Sequence, residues 1–116
     1  MHNVRELDVY KKAYDLTIAL YKITANFPEI EKFGLVTQIR RAVISINSNL
    51  MEGGARNSDG EFRQFIGIAR GSVNELIFQI SVSKDLGFIP KEQSESIVNE
   101  LEQIGKMLTN LSASYK

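Results

Sequence analysis

The sequence predicts an all-α protein, organised as an up-down-up-down antiparallel four-helix bundle. Apolar residues recur every three or four positions through four long segments, which is the periodicity of amphipathic helices. Glycine or proline interrupts the pattern at three points, and no segment shows the sustained alternation of a strand. Because the three connections are short, successive helices are expected to be antiparallel neighbours. The length suits one domain, 1–116, with helices at roughly 6–27, 34–53, 59–86 and 90–113.

Each predicted helix has an apolar stripe. The stripes are Val9, Ala13, Leu16, Leu20, Ile23 and Phe27 in the first helix; Val36, Ile39, Val43, Ile46 and Leu50 in the second; Phe62, Phe65, Ile66, Ala69, Val73, Leu76 and Ile80 in the third; and Ile97, Leu101, Ile104, Leu108 and Leu111 in the fourth. Burying these four stripes against one another would form the core of the bundle.

Boundary signals separate the four segments. Pro28 ends the first, Gly53-Gly54 ends the second, and Gly87 followed by Pro90 separates the third from the fourth. Ser58 and Glu61 fit the S-x-x-E capping box, in which the serine side chain accepts a bond from the third backbone N–H and the glutamate reaches back. The third helix is therefore predicted to begin just after Ser58.

Composition and charge exclude several classes of protein. Fourteen basic residues balance fourteen acidic residues, so no global charge attracts nucleic acid or an anionic membrane. The absence of cysteine excludes disulfides and thiolate metal sites. No apolar run approaches the ~20 residues that span a bilayer, and the N-terminus lacks the apolar segment of a signal peptide. We therefore expect a cytoplasmic protein without membrane association.

The residues required for common enzyme chemistry are missing. The only histidine is His2, near a terminus expected to fray, so no Ser-His-Asp or Cys-His arrangement can form. Bundle metal sites use Glu-x-x-His pairs, and none occurs. The glycine-rich segment MEGGAR lacks the Gly-Lys-Ser/Thr ending of a phosphate loop. We expect a non-enzymatic protein with no catalytic residue, metal or cofactor.

The outward faces of the second and third helices are unusual. The first and fourth helices carry charged and amide side chains outside, as solvated helices do. The unusual positions are small or apolar, namely Ile44, Ser45, Ser48 and Met51 in the second helix and Gly67, Ile68, Gly71 and Phe78 in the third. A mid-helix glycine costs about 0.5–1 kcal/mol, and close approach by another helix is the usual compensation. These positions predict the interface of a closed symmetric homo-oligomer, the alternative being scattered surface residues.

Two carboxylates, Glu52 and Glu75, lie on the outward faces of the second and third helices, where we expect them to be partly buried. A buried carboxylate requires a partner, and Arg40, Arg41 and Arg70 are available. The predicted structural polar network, which also involves Ser45, consists of Asn49, Glu52, Ser72 and Glu75. A functional site is the alternative, but no general base or nucleophile accompanies the carboxylates.

Arginine is concentrated in the middle of the chain. Five of the six arginines lie between residues 40 and 70, namely Arg40, Arg41, Arg56, Arg63 and Arg70. Residues 36–72 hold these five bases and three acids, a local balance of +2. Arginine binds phosphate bidentately and stacks on bases, so the cluster predicts an RNA- or DNA-binding patch that an oligomer would multiply. The alternative is that some arginines neutralise the two carboxylates and others are solvated.

Four stretches carry a resemblance to a known family. They are LDVYKKAYDL, FPEIEKFGL, QIRRAVISINSNLMEG and FRQFIGIARGSVNEL. Together they resemble the four-helix-bundle proteins encoded in intervening sequences of bacterial 23S rRNA genes, over nearly the whole chain and at polar as well as apolar positions. The matching motif positions are Gln38, Arg40, Arg41, Ser45, Asn49, Glu52, Gly53, Ser72 and Glu75.

The resemblance implies an all-α up-down bundle and a ring-shaped homopentamer. Most such proteins have no known function, but a related bundle is an accessory nucleic-acid-binding protein in diversity-generating retroelements. The leading prediction is therefore a non-enzymatic, ring-like homo-oligomer that binds RNA or DNA through its arginines. The alternative is an oligomeric protein–protein interaction scaffold without nucleic-acid binding.

Overall fold

A computed structural model describes residues 2–115, and four long helices make up most of this length. They are α1, Asp8–Thr24; α2, Leu35–Gly54; α3, Asp59–Asp85; and α4, Lys91–Ala113. Single turns of 3-10 helix at Val4–Glu6 and Glu29–Glu31 precede α1 and α2. No strand occurs within residues 2–115. The predicted all-α class with four helices is confirmed.

Consecutive helices pack against one another. α2 packs most extensively on α3, α3 packs on α4, α1 packs on α2, and a smaller contact between α1 and α4 closes the arrangement. The diagonal pairs, α1 with α3 and α2 with α4, do not approach closely within the described part of the chain. The resulting body measures 43 × 24 × 20 Å. This arrangement is consistent with an up-down four-helix bundle.

The core consists of the four predicted stripes. All stripe residues are buried except Ile23, Phe65 and Leu111, which are half-buried. Val4 in the 3-10 turn before α1 and Ile89 in the connection between α3 and α4 are also buried and extend the core at its two ends. Each large apolar side chain contributes about 1.5–3 kcal/mol when it is removed from water, so the stripes supply the main driving force for the bundle.

The ends of α3 have the predicted local chemistry. The Glu61 N–H donates to Ser58 Oγ at 3.1 Å, as the capping box requires. The return bond differs from the prediction, because the Ser58 hydroxyl donates to Glu61 Oε1 at 3.2 Å and the Ser58 N–H is not involved. At the other end Gly87 has a φ of +83°, and the Phe88 N–H donates to the Ser83 carbonyl at 2.8 Å. This left-handed glycine ends α3 as expected.

Gly53 and Gly54 are the last residues of α2, and both permit close packing. A Cβ added to Gly53 would lie 2.5 Å from Phe65 Cβ and 3.0 Å from Phe62 Cδ1. A Cβ added to Gly54 would lie 2.4 Å from Val4 Cγ2. The glycines therefore let α3 and the N-terminal segment contact the backbone of α2.

The N-terminal segment is packed against the bundle from residue 2. The His2 N–H donates to the Gly54 carbonyl at 2.8 Å. The His2 ring stacks on Phe62 with centroids 4.5 Å apart, meets Tyr115 edge-on at 4.7 Å, and lies 3.2 Å from Asp59 Oδ1. The expectation that His2 lies in a frayed terminus is wrong, because three separate elements hold it.

Candidate oligomer interface and arginine sites

The outward surface of α2 and α3 combines exposed apolar side chains with bare glycine backbone. We call it the outer face, and its exposed residues are Ile44, Ser48, Met51, Gly67, Ile68, Gly71 and Phe78. Ser45, which was predicted to belong to this face, is instead half-buried between α2 and α3. Phe78 is 69% exposed and Ile68 is 52% exposed. A Cβ at Gly67 or Gly71 would meet no described atom within 4 Å outside its own helix and neighbours. Packing within one copy therefore provides no reason for glycine at these positions.

The apolar surface continues from the outer face onto α1. Tyr14 and Ile18 are exposed and line a groove of about 590 Å³ together with Ile44 and Met51. We expected α1 to be an ordinary solvated helix, and the structure corrects this. The available signal was a second stripe on α1, formed by Tyr10, Tyr14, Ile18 and Tyr21 at spacings of four, four and three.

Part of the predicted polar network lies where α2 crosses α3. The Ser72 hydroxyl donates to Ser45 Oγ at 2.8 Å, and Asn49 Nδ2 donates to Ser45 Oγ at 2.9 Å and to the Ser45 carbonyl at 2.8 Å. Glu52 lies outside this group and pairs with Arg56. Glu75 forms no hydrogen bond or ion pair with any described residue, and both glutamates are exposed in a single copy.

A cleft of about 360 Å³ separates α2 from α3 beside these serines. We call it the polar cleft, and Gln38, Arg41, Ala42, Ser45, Ser72, Glu75 and Gln79 line it. Gln79 is 96% buried, yet its Oε1 has no hydrogen-bond partner within residues 2–115. Arg41 and Glu75 both line the cleft without forming an ion pair. The cleft thus contains an unbound cation, an unbound anion and an unsatisfied amide.

Arg40 is engaged with the C-terminal end of α1. Its Nε donates to Thr24 Oγ1 at 3.0 Å, and its Nη2 donates to the Tyr21 carbonyl at 3.0 Å. The guanidinium also lies over the Tyr21 ring, 4.5 Å from the centroid. The Tyr21 carbonyl already accepts from the Ala25 N–H at 3.2 Å, so Arg40 adds a second bond there and places a positive charge at the negative end of the helix dipole.

Arg56 and Arg63 are also engaged within the chain. Arg56 pairs with Glu52 at 2.7 Å and lies 3.8 Å from Glu61, with its guanidinium over the Phe65 ring. Arg63 donates to the Tyr115 carbonyl and so ties the start of α3 to the end of α4. Both arginines therefore have structural partners.

Arg41 and Arg70 form no hydrogen bond or ion pair with the residues that the structure describes. Arg41 lies in the polar cleft, whereas Arg70 lies in a second cleft of about 500 Å³ between α3 and α4. Lys106 and Glu102 line that second cleft with Arg70. Arg40 lies near the start of α2, whereas Arg56 follows its last residue, a separation of ~24 Å along the helix. The five arginines are thus distributed over several surfaces of one copy.

The described residues include no candidate metal centre. Within residues 2–115, no three His, Cys, Asp or Glu side chains are grouped closely enough to hold a metal ion. None of the four helices combines the length and the apolar character that crossing a membrane requires.

A comparison with protein families shows which family this chain belongs to. The model of the family described as 23S rRNA-intervening sequence protein matches residues 5–110. The chain belongs to this family. The resemblance predicted from the four sequence stretches is confirmed.

A solved structure supports the same placement of this 23S rRNA-intervening sequence family member. It is a protein of unknown function from the S23 ribosomal protein family of Bacteroides thetaiotaomicron, 28% identical in sequence, with a TM-score of 0.80. The match covers 90% of this chain and 97% of that chain. No curated protein matches the chain. The comparisons therefore show the family and the fold of this chain, and they indicate no activity.

Proposed function

We propose that this protein is a non-enzymatic homo-oligomeric module whose copies join through the outer face of α2 and α3. The observation that carries the proposal is the pairing of exposed apolar side chains with Gly67 and Gly71, whose Cβ positions are open. Each glycine costs about 0.5–1 kcal/mol of helix stability relative to alanine. A second copy packing against the bare backbone would offset that cost.

A ring-like assembly, with five subunits as the family resemblance implies, requires two different complementary surfaces on each copy. An isologous contact joins copies in pairs, whereas a head-to-tail contact generates a ring when its rotation closes. The groove between α1 and α2 and the exposed ridge of Ile68, Gly71 and Phe78 on α3 are two such surfaces. A groove on one copy and a ridge on the next support a heterologous contact between successive copies.

Light scattering coupled to size exclusion tests this proposal. A pentamer has a mass of about 66 kDa, five times the 13.1 kDa chain. Gly71→Leu should give a folded but smaller species, because the added side chain prevents close approach. Asn99→Leu is the matched control, since Asn99 is exposed on α4 away from the outer face. A wild-type chain with the 13.1 kDa mass of a monomer, or a Gly71→Leu variant of unchanged mass, would contradict the proposal.

Nucleic-acid binding is a second candidate function, and we propose it on a narrower set of residues. Arg70 and Lys106 are exposed, lie in one cleft, and have no ion-pair partner among the described residues. Two adjacent cations can bind phosphates of RNA or DNA, and a ring would repeat the pair. Arg40, Arg56 and Arg63 support this function less, because their guanidinium groups already bind within the chain.

Salt dependence distinguishes this candidate from a protein–protein interaction scaffold. Anisotropy of a labelled duplex between about 50 and 200 mM salt should follow a log–log slope of about −0.9 per phosphate neutralised. Arg70→Ala with Lys106→Ala should make that slope shallower by roughly two phosphates per copy in contact. An assembly that binds neither duplex nor single-stranded RNA would leave the scaffold as the better explanation.

A further inference from the structure

We infer that Arg41 of one copy enters the polar cleft of the next copy and pairs there with Glu75. The inference rests on the proposed homo-oligomer and specifies a residue that each copy contributes to its neighbour. It starts from an anomaly within one copy, since Arg41 and Glu75 line the same cleft and neither has an ion-pair partner among the described residues.

The cleft presents acceptors that suit a guanidinium. Glu75 supplies a carboxylate and Ser72 supplies a hydroxyl, and the buried Gln79 side chain forms part of the floor. A planar guanidinium with five N–H donors can bind the exposed Glu75 carboxylate and the Ser72 hydroxyl together.

Arg41 is the arginine whose position allows it to supply the guanidinium that enters the polar cleft of the next copy. Arg40, Arg56 and Arg63 already bind carbonyls or carboxylates within their own copy, and Arg70 lies in the cleft between α3 and α4. Arg41 instead lies on the exposed side of α2, one helical turn from Ile44 on the outer face. It is therefore the free arginine that an approaching copy would meet at this surface.

The geometry also suits a closed ring. Arg41 is exposed on α2 one turn from Ile44, which lines the groove, while Glu75 is on α3 between Ile68 and Phe78. In a head-to-tail contact, α2 of one copy faces α3 of the next, so each contact contains one Arg41 and one Glu75. Every copy then gives its Arg41 to one neighbour and receives an Arg41 from the other. Neither residue remains unpaired in such a ring.

Charge reversal in separate chains tests this inference. Arg41→Glu alone and Glu75→Arg alone should each weaken association roughly 30-fold or more, since each places like charges in the contact. Mixing the two variants should restore association between unlike copies, because their contacts pair either the two introduced residues or the unaltered Arg41 and Glu75. A ring of five retains one contact between like variants, so open and even-numbered mixed assemblies are also expected. Native mass spectrometry should show species containing both variants. Arg5→Glu, a matched reversal at an exposed arginine of the N-terminal turn, should assemble like the wild type.

The outcomes separate three explanations. If the double variant Arg41→Glu/Glu75→Arg assembles but no species containing both single variants forms, the pair forms within one copy and the inference is overturned. Single variants that assemble like the wild type also overturn it. If the unaltered chain is itself a monomer, the proposed homo-oligomer is contradicted, and the inference that rests on it is overturned as well. Circular dichroism of each variant verifies that the exposed substitutions leave the helices intact.

Discussion

Replacing Gly53 with alanine should destabilise the bundle, although alanine is the better helix former. The new Cβ would lie 2.5 Å from Phe65 Cβ and 3.0 Å from Phe62 Cδ1. Carbon atoms in contact prefer about 3.5–4.0 Å, so α2 and α3 must separate by about 1 Å at this crossing. Phe65 Cβ is fixed to the backbone of α3 and Phe62 is fully buried, so no flexible side chain can absorb the displacement.

The expected size of the effect follows from two opposing terms. Overpacking of this kind costs typically about 1–3 kcal/mol. Alanine recovers less than its usual ~1 kcal/mol of propensity, because Gly53 lies in the last turn of α2, next to its final residue. We expect a net loss of about 1–2 kcal/mol in the free energy of unfolding, or about 4–8 °C in Tm for a domain of this size.

Gly105→Ala provides the matched control. A Cβ at Gly105 on α4 would lie 3.7 Å from Val73 Cγ1, which is ordinary contact, so this variant should gain about 0.5–1 kcal/mol. Urea unfolding followed by circular dichroism measures both changes, and repeating it at several protein concentrations separates folding from association. A Gly53→Ala variant as stable as the wild type would refute the close crossing. A destabilised Gly105→Ala variant would refute the propensity argument.

Three further predictions concern single substitutions. Ser58→Ala removes the cap of α3 and should lower the free energy of unfolding by about 1 kcal/mol in urea titrations, whereas an unchanged midpoint would show that the cap is dispensable. Arg40→Met retains the apolar stem but loses both bonds to the end of α1, so hydrogen exchange should accelerate in the last turn of α1 and remain unchanged in α4. Gly67→Ala should raise the stability of a dilute, dissociated chain by about 0.5–1 kcal/mol while weakening assembly, and a gain in both would contradict the interface.

Local features of the sequence predicted the four helices, although α1 spans only Asp8–Thr24 of the predicted 6–27. Apolar residues at spacings of three and four place one side of each helix against its neighbours, and burial of that side is the main stabilising term whatever the remaining details. Caps and left-handed glycines act through bonds only a few residues apart, as at Ser58 and Gly87. Such signals can be read without knowing which helices meet.

The candidate site depended on contacts between residues distant in sequence. Arg40 binds a carbonyl nineteen residues away, and Arg63 binds one fifty-two residues away. The sequence gives the number of arginines, but it does not show which of them already have hydrogen-bond or ion-pair partners within the chain. The groove between α1 and α2 was missed for the same reason, because a second stripe on α1 becomes a surface only beside Ile44 and Met51.

Three glycines illustrate which features the sequence could predict and which required the tertiary structure. In the sequence, Gly53, Gly71 and Gly87 are chemically identical residues. Local spacing already placed Gly87 at a helix end and Gly71 on an outward face, and the structure shows a positive φ at Gly87 and open backbone at Gly71. Only the structure shows that Gly53 allows a helix crossing. The sequence by itself determined four amphipathic helices, because periodicity and capping act locally. Only the tertiary structure decided which surfaces and charges remain free for another molecule, because that depends on which distant residues pack together.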